Sequence, residues 1–221
     1  MVKAPSHSNF LLILILLCGH SIFCFQNSHF SPNAHGRSPS LVTTMMLRDE
    51  EVNIQEHLPL WMEYSDYFVF GIDSNSTDGT ENAIHSLLQH NPTFKDRYHI
   101  FRFNFTGFGP VRTLTLQESW KKFPQASHVW VADPDWKPEV LTIDKKRDLD
   151  FNHDVFQFTI LDRNGFTVRR CDWILLHREG LSMRYNLHEV LNYSYHYSQK
   201  LMEWTVHEID RTHLTWHGYP F

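Results

Sequence analysis

The stretch FVFGIDSNSTDGT, residues 68–80, is an apolar strand that ends at Asp73 and continues into a short polar turn. A buried strand followed by a tight loop and a helix presents a carboxylate at the carboxyl edge of an α/β sheet, where nucleotides bind. The segment HVWVA at 128–132 ends in the same way, in the tripeptide DPD at 133–135. These two strand ends predict one site that contains two groups of acidic side chains.

The apolar pattern around this stretch predicts strands that alternate with helices. The strand at 67–73 is apolar at almost every position, as expected for a parallel strand covered on both faces. Ser76 or Thr77 is predicted to cap the helix that follows. The predicted strands are 41–47, 67–73, 99–105 and 128–132, and the predicted helices are 52–62, the segment that contains 83–88, and 110–123. This order predicts an α/β fold with a mostly parallel, Rossmann-like sheet and helices on both faces.

The pattern changes after Pro138. Residues 154–161 alternate between apolar and polar side chains, an Asn-Gly pair at 164–165 predicts a tight turn, and residues 166–177 return as a second strand. A C-terminal β-hairpin is therefore predicted. The chain of 221 residues is 42% hydrophobic, which is enough for one substantial core, and we predict a single domain at 41–221.

Charge and cysteine content exclude two classes of protein. Net charge is -5, with 20 Lys and Arg against 25 Asp and Glu and no long basic run, so a nucleic-acid partner is excluded. Cys18 and Cys24 lie in the N-terminal apolar segment, and only Cys171 lies in the predicted domain. A disulfide framework within that domain is therefore excluded.

Residues 1–25 have the pattern of a targeting segment. Lys3 supplies a positive charge, and the apolar run at 10–18 is too short to span a bilayer as a helix. A cleaved signal peptide is predicted, with a signal anchor as the first alternative, and residues 26–40 are predicted to form a flexible linker. A signal peptide and a signal anchor would both place the protein in the secretory pathway (ER or Golgi). The anchored form would also associate with a membrane. A bipartite plastid signal is the further alternative, because residues 25–48 contain no Asp or Glu.

Five motifs occur in the order in which family 2 glycosyltransferases contain them. They are LRDEE at 47–51, IDSNSTDGT at 72–80, WVADPDW at 130–136, LHEVL at 187–191 and WHGY at 216–219. The chain resembles that family from about Leu41 to Tyr219. The resemblance implies a GT-A fold and the transfer of a sugar from a nucleoside-diphosphate sugar to a hydroxyl group of a glycan, lipid or protein acceptor. It also implies inversion at the sugar carbon and a divalent metal, Mn²⁺ or Mg²⁺.

The acidic turn at 133–135 matches that metal requirement. A diphosphate leaving group carries concentrated negative charge, which a hard divalent cation held by carboxylates neutralises as the glycosidic bond breaks. Asp133 and Asp135 are spaced so that both face one ion, or so that one faces the ion and the other the donor. The resemblance assigns Asp135 to the metal and adds His217 as a contact to metal and diphosphate. The alternatives are an ordinary turn for the two Asp residues and a packed strand histidine for His217.

The other donor contacts follow from the resemblance. Asp73 would accept hydrogen bonds from the nucleoside, with Glu50 nearby, and Arg112 would face phosphate. The alternatives are a turn residue for Asp73, a carboxylate at a helix N-terminus for Glu50, and a surface arginine for Arg112. The family has Asn where this chain has Asp49, and the role of the added charge stays open.

Three residues of the STDGT motif are assigned to the loop itself. Asp78 and Thr80 are expected to organise the loop and cap its helix, because their side chains are suited to capping. Gly79 is expected to permit an unusual backbone angle.

The resemblance also assigns the acceptor side of the site. The predicted hairpin would form that side of the cleft, and LHEVL would bring Glu189 over the donor sugar as the general base. His188 would contact phosphate or acceptor, and Asp172 is the reserve candidate for the base. The alternative is that Glu189 is a helix N-terminal residue.

Two other functions are compatible with the sequence. A sugar-phosphate nucleotidyltransferase shares the fold class, but it would need a Gly-rich basic loop near the first strand, and LVTTMMLRDEE at 41–51 contains no Gly. A non-catalytic module that binds a sugar nucleotide or a glycan is the alternative from a different class. Measurable hydrolysis of a donor would separate the enzyme from the module.

Replacement of Glu189 by Gln tests the proposed base. Gln preserves shape and hydrogen bonding but cannot take a proton, so we expect transfer to fall by a few orders of magnitude while donor affinity is unchanged. Single-turnover kinetics and donor titration of the two proteins measure this. Turnover within a few fold of the parent across pH 6 to 9 would exclude Glu189 and make Asp172 the residue to test.

Overall fold

The computed structural model describes residues 40–139, 155–161, 167–185, 190–191 and 199–208. The predicted targeting segment at 1–25 lies outside the described residues, as does the predicted linker up to residue 39. All the described residues belong to one unit, His35–Phe221. Among them, no helix combines the length and the apolar character that crossing a membrane requires.

The first half of the described chain alternates strands with helices, which confirms the predicted α/β fold. The strands are β1 (Leu41–Leu47), β2 (Tyr67–Asp73), β3 (Tyr98–Phe103) and β4 (His128–Ala132), and the helices are α1 (Glu51–Tyr64), α2 (Thr80–Leu88) and α3 (Phe108–Lys122). β1, β2 and β4 have the predicted bounds. β3 begins one residue earlier and ends two residues earlier than predicted.

These four strands are parallel and lie in the order β3-β2-β1-β4. β1 therefore pairs with β2 on one side and with β4 on the other. The chain moves outward from β1 to β3 and then crosses back to β4, which reverses the direction of the connections. Such a reversal leaves a crevice outside the carboxyl ends of β1 and β4, the strands at which the direction changes. In open α/β sheets, ligands bind in this crevice.

The helices lie where right-handed crossovers require. α1 and α2 contact each other, whereas α3 packs on β1 and β2. Because the connection through α3 runs in the opposite direction to those through α1 and α2, a right-handed crossover places it on the other face of the sheet. The prediction of helices on both faces is confirmed.

The second half of the described chain extends the same sheet. The strands that join it are β5 (Trp136–Glu139), β6 (Val155–Leu161), β7 (Thr167–Leu176) and β10 (Gln199–Glu208). β8 (Met183–Arg184) and β9 (Val190–Leu191) pair with each other in a separate two-stranded sheet. The predicted hairpin is present as the antiparallel pair β6 and β7. The sequence did not predict that β7 also pairs antiparallel with β4, which gives an eight-stranded sheet within the described ranges, in the order β3-β2-β1-β4-β7-β6-β10-β5.

Aromatic side chains dominate the core between the sheet and α1. Trp61, Trp130, Trp136, Phe68 and Phe70 are all fully buried. Complete burial of a large apolar side chain stabilises a fold by about 2 kcal/mol. The Trp61 and Trp130 rings meet edge to face with centroids 4.7 Å apart, so α1 is fixed directly on β4.

The predicted cap of α2 is wrong. The helix begins at Thr80, its N-cap is Gly79, and this glycine has no side chain with which to cap the helix. Ser76 and Thr77 lie further upstream, where their polar groups bond to Asp49 instead. Tertiary contacts with the loop after β1 therefore replace the local capping that the sequence pattern predicts.

Candidate active site

Three strand ends bring the predicted donor residues to one edge of the sheet. Glu50 follows β1, Asp73 is the last residue of β2, and Asp133 and Asp135 follow β4. Because β1 is hydrogen-bonded to both β2 and β4, their carboxyl ends are adjacent. The fold thus places the four carboxylates at the crevice that the strand order creates.

Asp49 connects the loop after β1 to the loop after β2. Its Oδ1 accepts hydrogen bonds from the backbone N–H of Thr77 at 2.7 Å and from that of Asp78 at 3.3 Å. Its own backbone N–H donates to the Ser76 hydroxyl at 3.0 Å. Asp49 has φ 53°, in the left-handed region that Asp and Asn tolerate better than other side chains do. The added acidic residue therefore has a structural role.

The starts of α1 and α2 bond to each other. Glu51 donates its backbone N–H to Asp78 Oδ2 at 2.8 Å, and Gly79 donates its N–H to Glu51 Oε2 at 3.0 Å. The Thr80 hydroxyl accepts from the backbone N–H of Glu50 at 2.8 Å. The motifs LRDEE and STDGT thus satisfy each other's backbone donors, and each helix start is capped by the other loop.

Hydrogen bonds keep Asp78 ionised in this contact. Burial would raise the pKa of Asp78, but the Thr80 hydroxyl and the backbone N–H groups of Glu51 and Thr80 donate to it and hold its pKa below the ordinary value. An ionised acceptor forms stronger hydrogen bonds than a neutral one. The assignment of Asp78 and Thr80 to loop organisation is therefore supported by their contacts.

Gly79 has a different role from the one expected. Its φ is −83°, an angle that any residue adopts, so the expectation of an unusual backbone angle is wrong. A Cβ at this position would lie 2.6 Å from Glu51 Oε1. A side chain at position 79 would therefore displace the Glu51 carboxylate from its contact with the backbone.

Asp73 is fully buried beneath these loops. Its Oδ1 accepts hydrogen bonds from the backbone N–H of Asn75 at 2.9 Å and from Asn75 Nδ2 at 3.1 Å. Arg48 Nη1 lies 3.9 Å from its Oδ2. A buried carboxylate needs such partners to stay charged. Asp73 therefore forms a turn with Asn75, as the turn alternative anticipated, while its contact with a nucleoside stays a prediction.

Arg112 binds the first aspartate of the DPD turn. Its side chain is buried, so the alternative of a surface arginine is excluded. Nη1 donates to the Ala132 carbonyl at 3.0 Å, and Nη2 forms an ion pair with Asp133 Oδ1. Part of the negative charge of the turn is thus neutralised by an arginine of α3.

Burial and nearby aspartates change the pKa of Glu50. Burial and, to a smaller extent, the charges of Asp135, Asp133 and Asp78 raise the pKa of Glu50 to about 8, although the hydrogen bond from Asn53 opposes this shift. Asn53 Nδ2 donates to Glu50 Oε2 at 2.6 Å. The charges of the nearby aspartates therefore disfavour ionisation of Glu50.

This group of side chains fits a hard divalent cation. Such ions take oxygen ligands, and a nearby cation would stabilise the ionised form of Glu50 beside the aspartates. Within the described ranges, no three His, Cys, Asp or Glu side chains form a metal site by themselves. Mg²⁺ is usually bound by one or two carboxylates together with substrate phosphates. The donor set therefore suits a cation that arrives with a diphosphate.

The remaining predicted residues lie mostly outside the described part of the chain. Glu189, His188 and His217 are not among the described residues, so their roles stay predictions. Asp172 lies in the middle of β7, where its backbone is paired with Gln157 of β6.

Two residues of α1 that the sequence did not single out contact the DPD turn. His57 Nδ1 lies 3.0 Å from the Pro134 carbonyl oxygen, and Trp61 Nε1 donates to the Trp136 carbonyl at 3.1 Å. Their spacing of four residues places them on one helix face. That spacing was visible in the sequence, but only the packing of α1 shows what the face contacts.

Comparison with known proteins gives partial structural matches. No protein-family model and no curated protein matches this chain. The crystal structure of residues 1–349 of TarS from S. aureus matches with TM-score 0.43 and 17% identity over 59% of this chain and 38% of that one. Its complex with UDP matches with TM-score 0.45 and 18% identity over 59% and 38%. The mannosyltransferase Ktr4p from S. cerevisiae matches with TM-score 0.34 and 15% identity over 56% and 39%. The chain thus spans less than two fifths of each of these structures.

Replacement of Asp49 tests the contact between the two loops. Asp49→Ala removes the acceptor and leaves a side chain poorly suited to φ 53°, so we expect the free energy of unfolding to fall by about 1–2 kcal/mol. Asp49→Asn keeps Oδ1 and tolerates the angle, and it should remain within about 0.5 kcal/mol of the parent. Urea unfolding measures both, and equal stability of the Ala variant and the parent would contradict the assigned role.

Glu50 makes stability depend on pH. Because the pKa of Glu50 is about 8 in the folded protein and 4.5 ordinarily, the folded state retains a proton that the unfolded state loses. The stabilisation that this proton gives to the folded state is complete below pH 4.5 and is lost as pH rises through 8. With chelator present, we expect it to be about 2 kcal/mol, allowing for partial exposure to solvent.

Glu50→Gln is the matched variant for this measurement. It cannot titrate, so its urea-unfolding stability should fall less than that of the parent between pH 5 and 8. Parallel pH profiles for the two proteins would show that Glu50 is not the group responsible.

Proposed function

We propose that this chain binds a nucleoside-diphosphate sugar at the carboxyl edge of β1, β2 and β4 and transfers the sugar to a hydroxyl acceptor. One observation carries the proposal. The motif residues that the family resemblance assigns to the donor come from three separate loops, and the strand order brings those loops together at a single crevice. Because this crevice is where ligands bind in open α/β sheets, the convergence of acidic loops there supports a common role in binding a ligand.

Different residues around the crevice are proposed to bind different parts of the donor. Asp73, at the end of β2, is the proposed partner of the nucleoside, since its side chain is held in place by Asn75 and lies near Arg48. Arg112 supplies positive charge beside the proposed diphosphate position. Because it is buried and bonded to Ala132, its position is fixed before any ligand binds, and such preorganisation lowers the cost of binding.

Asp135 and Glu50 are the residues that would hold a divalent cation, Mn²⁺ or Mg²⁺. When bound, the cation would neutralise charge on the diphosphate leaving group. Asp133 is proposed to take part through Arg112, which orients its carboxylate, and His217 is proposed as a further contact. Glu50 has to lose its proton to act as a ligand, so cation binding by this group should release protons.

The acceptor half of the reaction is proposed from the family resemblance alone. Glu189 would accept the proton of the acceptor hydroxyl as that oxygen attacks the sugar carbon, with His188 beside it and Asp172 in reserve. An attack of this kind on the face opposite the diphosphate inverts the configuration. The acceptor is proposed to be a hydroxyl of a glycan, lipid or protein.

One observation favours the second candidate, a module that binds a sugar nucleotide without transferring it. The Asp133 carboxylate is engaged by Arg112, and no three-ligand metal site is formed by the described residues. A donor could bind such a crevice without being activated. Incubation of the protein with Mn²⁺ and a panel of nucleotide sugars, beginning with UDP-GlcNAc, separates the two functions when nucleoside-diphosphate release and thermal shift are followed together. Stabilisation with release supports the transferase, whereas stabilisation without release supports the module.

Asp135→Asn tests the cation assignment, with Asp133→Asn as the matched variant. A neutral amide is a poor ligand for a hard cation, so Asp135→Asn should abolish Mn²⁺-dependent binding of UDP while the protein stays folded. Asp133→Asn leaves the buried Arg112 without its charged partner, so it should lower the free energy of unfolding by about 2 kcal/mol. Calorimetric titration with UDP and urea unfolding distinguish the two effects. Full Mn²⁺-dependent UDP binding by Asp135→Asn would refute the assignment.

A further inference from the structure

Two backbone carbonyls of the DPD turn are held by one face of α1. The turn runs from Asp133 to Trp136, and the backbone N–H of Trp136 donates to the Asp133 carbonyl at 3.2 Å. The carbonyls of Pro134 and Trp136 accept hydrogen bonds from α1 side chains. These carbonyls lie before and after Asp135, so the backbone on both sides of that residue is tied to the helix.

His57 provides the first of these bonds. A carbonyl oxygen only accepts, so the His57 Nδ1 that lies 3.0 Å from Pro134 O carries the hydrogen. The imidazole is buried. A buried polar group that loses its partner costs about 1–3 kcal/mol, which gives the turn a strong preference for the conformation that keeps this bond.

Trp61 provides the second hydrogen bond, and the packing of its ring holds the side chain in place. Its Nε1 donates to Trp136 O at 3.1 Å, and its side chain is fully buried. The ring packs edge to face on Trp130 of β4, the strand that leads into the turn. Trp61 therefore contacts the chain on both sides of Asp135, through its ring upstream and its N–H downstream.

The same helix also begins next to Glu50. α1 starts at Glu51, and Asn53 in its first turn donates to the Glu50 carboxylate. His57 and Trp61 lie one and two turns further along. α1 thus holds both carboxylates that would bind a cation, Glu50 at its N-terminus and Asp135 through the turn.

We propose that His57 and Trp61 are positioning residues, which hold the Asp133–Trp136 turn so that Asp135 is in place before the cation and the diphosphate bind. This inference rests on the proposed function, since it concerns the same crevice. Neither residue contacts the ligand. Their effect is exerted through the backbone of the turn, in the way that outer-shell hydrogen bonds orient metal ligands.

Three variants separate the hydrogen bonds from the packing. Trp61→Phe removes the N–H and keeps an aromatic ring against Trp130. His57→Leu removes the donor, whereas His57→Asn places an amide N–H near the position of Nδ1. His177→Leu is the matched control, because His177 is also buried and its Nδ1 lies 3.3 Å from a backbone carbonyl, that of Ala126, away from the turn.

The full-length proteins are compared by two measurements. The first is Mn²⁺ affinity in the presence of UDP, read from the EPR signal of free Mn²⁺, and the second is hydrogen–deuterium exchange of the backbone amides at 133–136. We expect Trp61→Phe and His57→Leu to bind Mn²⁺ about ten-fold more weakly and to exchange faster in the turn. His57→Asn should remain within about two-fold of the parent on both counts. His177→Leu should lower the melting temperature and leave both measurements unchanged.

The outcomes separate this inference from the proposed function. If the parent binds neither Mn²⁺ nor UDP, the proposed function fails, and exchange alone then decides whether α1 holds the turn. Unchanged exchange in Trp61→Phe and His57→Leu overturns the inference, as does an equal loss of Mn²⁺ affinity in His177→Leu. If His57→Leu does not fold, Trp61→Phe still decides the question, because it removes the other hydrogen bond to the turn and keeps an aromatic ring, and His57→Asn tests the His57 bond by supplying an amide donor.

Discussion

The parallel pairing of β1 with β2 on one side and with β4 on the other is the constraint on which the rest of the structure depends. It brings together the ends of three strands that are far apart in sequence, and every acidic residue proposed to contact the donor or its cation in the described part of the chain lies at one of those ends. The pairing is stable because these strands are apolar almost throughout and are covered by helices on both faces. A change in the order of these strands would separate the acidic loops even if every local element still formed.

The crevice concentrates negative charge, and the chain limits the cost of doing so in three ways. The side chains of Asp49 and Asp78 each accept a hydrogen bond from a backbone N–H of the other residue's loop. Asp133 is paired with the buried Arg112. Glu50 retains a proton over much of the pH range, because burial and the neighbouring aspartates raise its pKa. The backbone on both sides of Asp135 is held by α1, and this arrangement supports the proposal that Asp135 and Glu50 bind a divalent cation.

Much of the fold was predictable from the sequence, because the first half of the described chain follows rules that act over short distances. Apolar runs of about seven residues between polar turns gave β1, β2 and β4 with their observed bounds, and helical periodicity gave α1 and α3 within two residues at each end. The error at the start of α2 has a physical cause. Ser76 and Thr77 are good capping residues by local chemistry, but Asp49 offers their polar groups a partner from another loop, and tertiary contacts outweigh local propensity.

By itself the sequence determined the α/β class, the position of each acidic strand end and the resemblance to a family of sugar transferases, since these follow from composition and from motifs read along the chain. Only the tertiary structure decided that β7 joins the parallel strands through β4, that Arg112 is buried against Asp133, and that His57 and Trp61 bind the turn around Asp135. Each of these is a contact between residues at least twenty positions apart. A contact of this kind depends on which faces pack together, and the order of residues along the chain does not specify that packing.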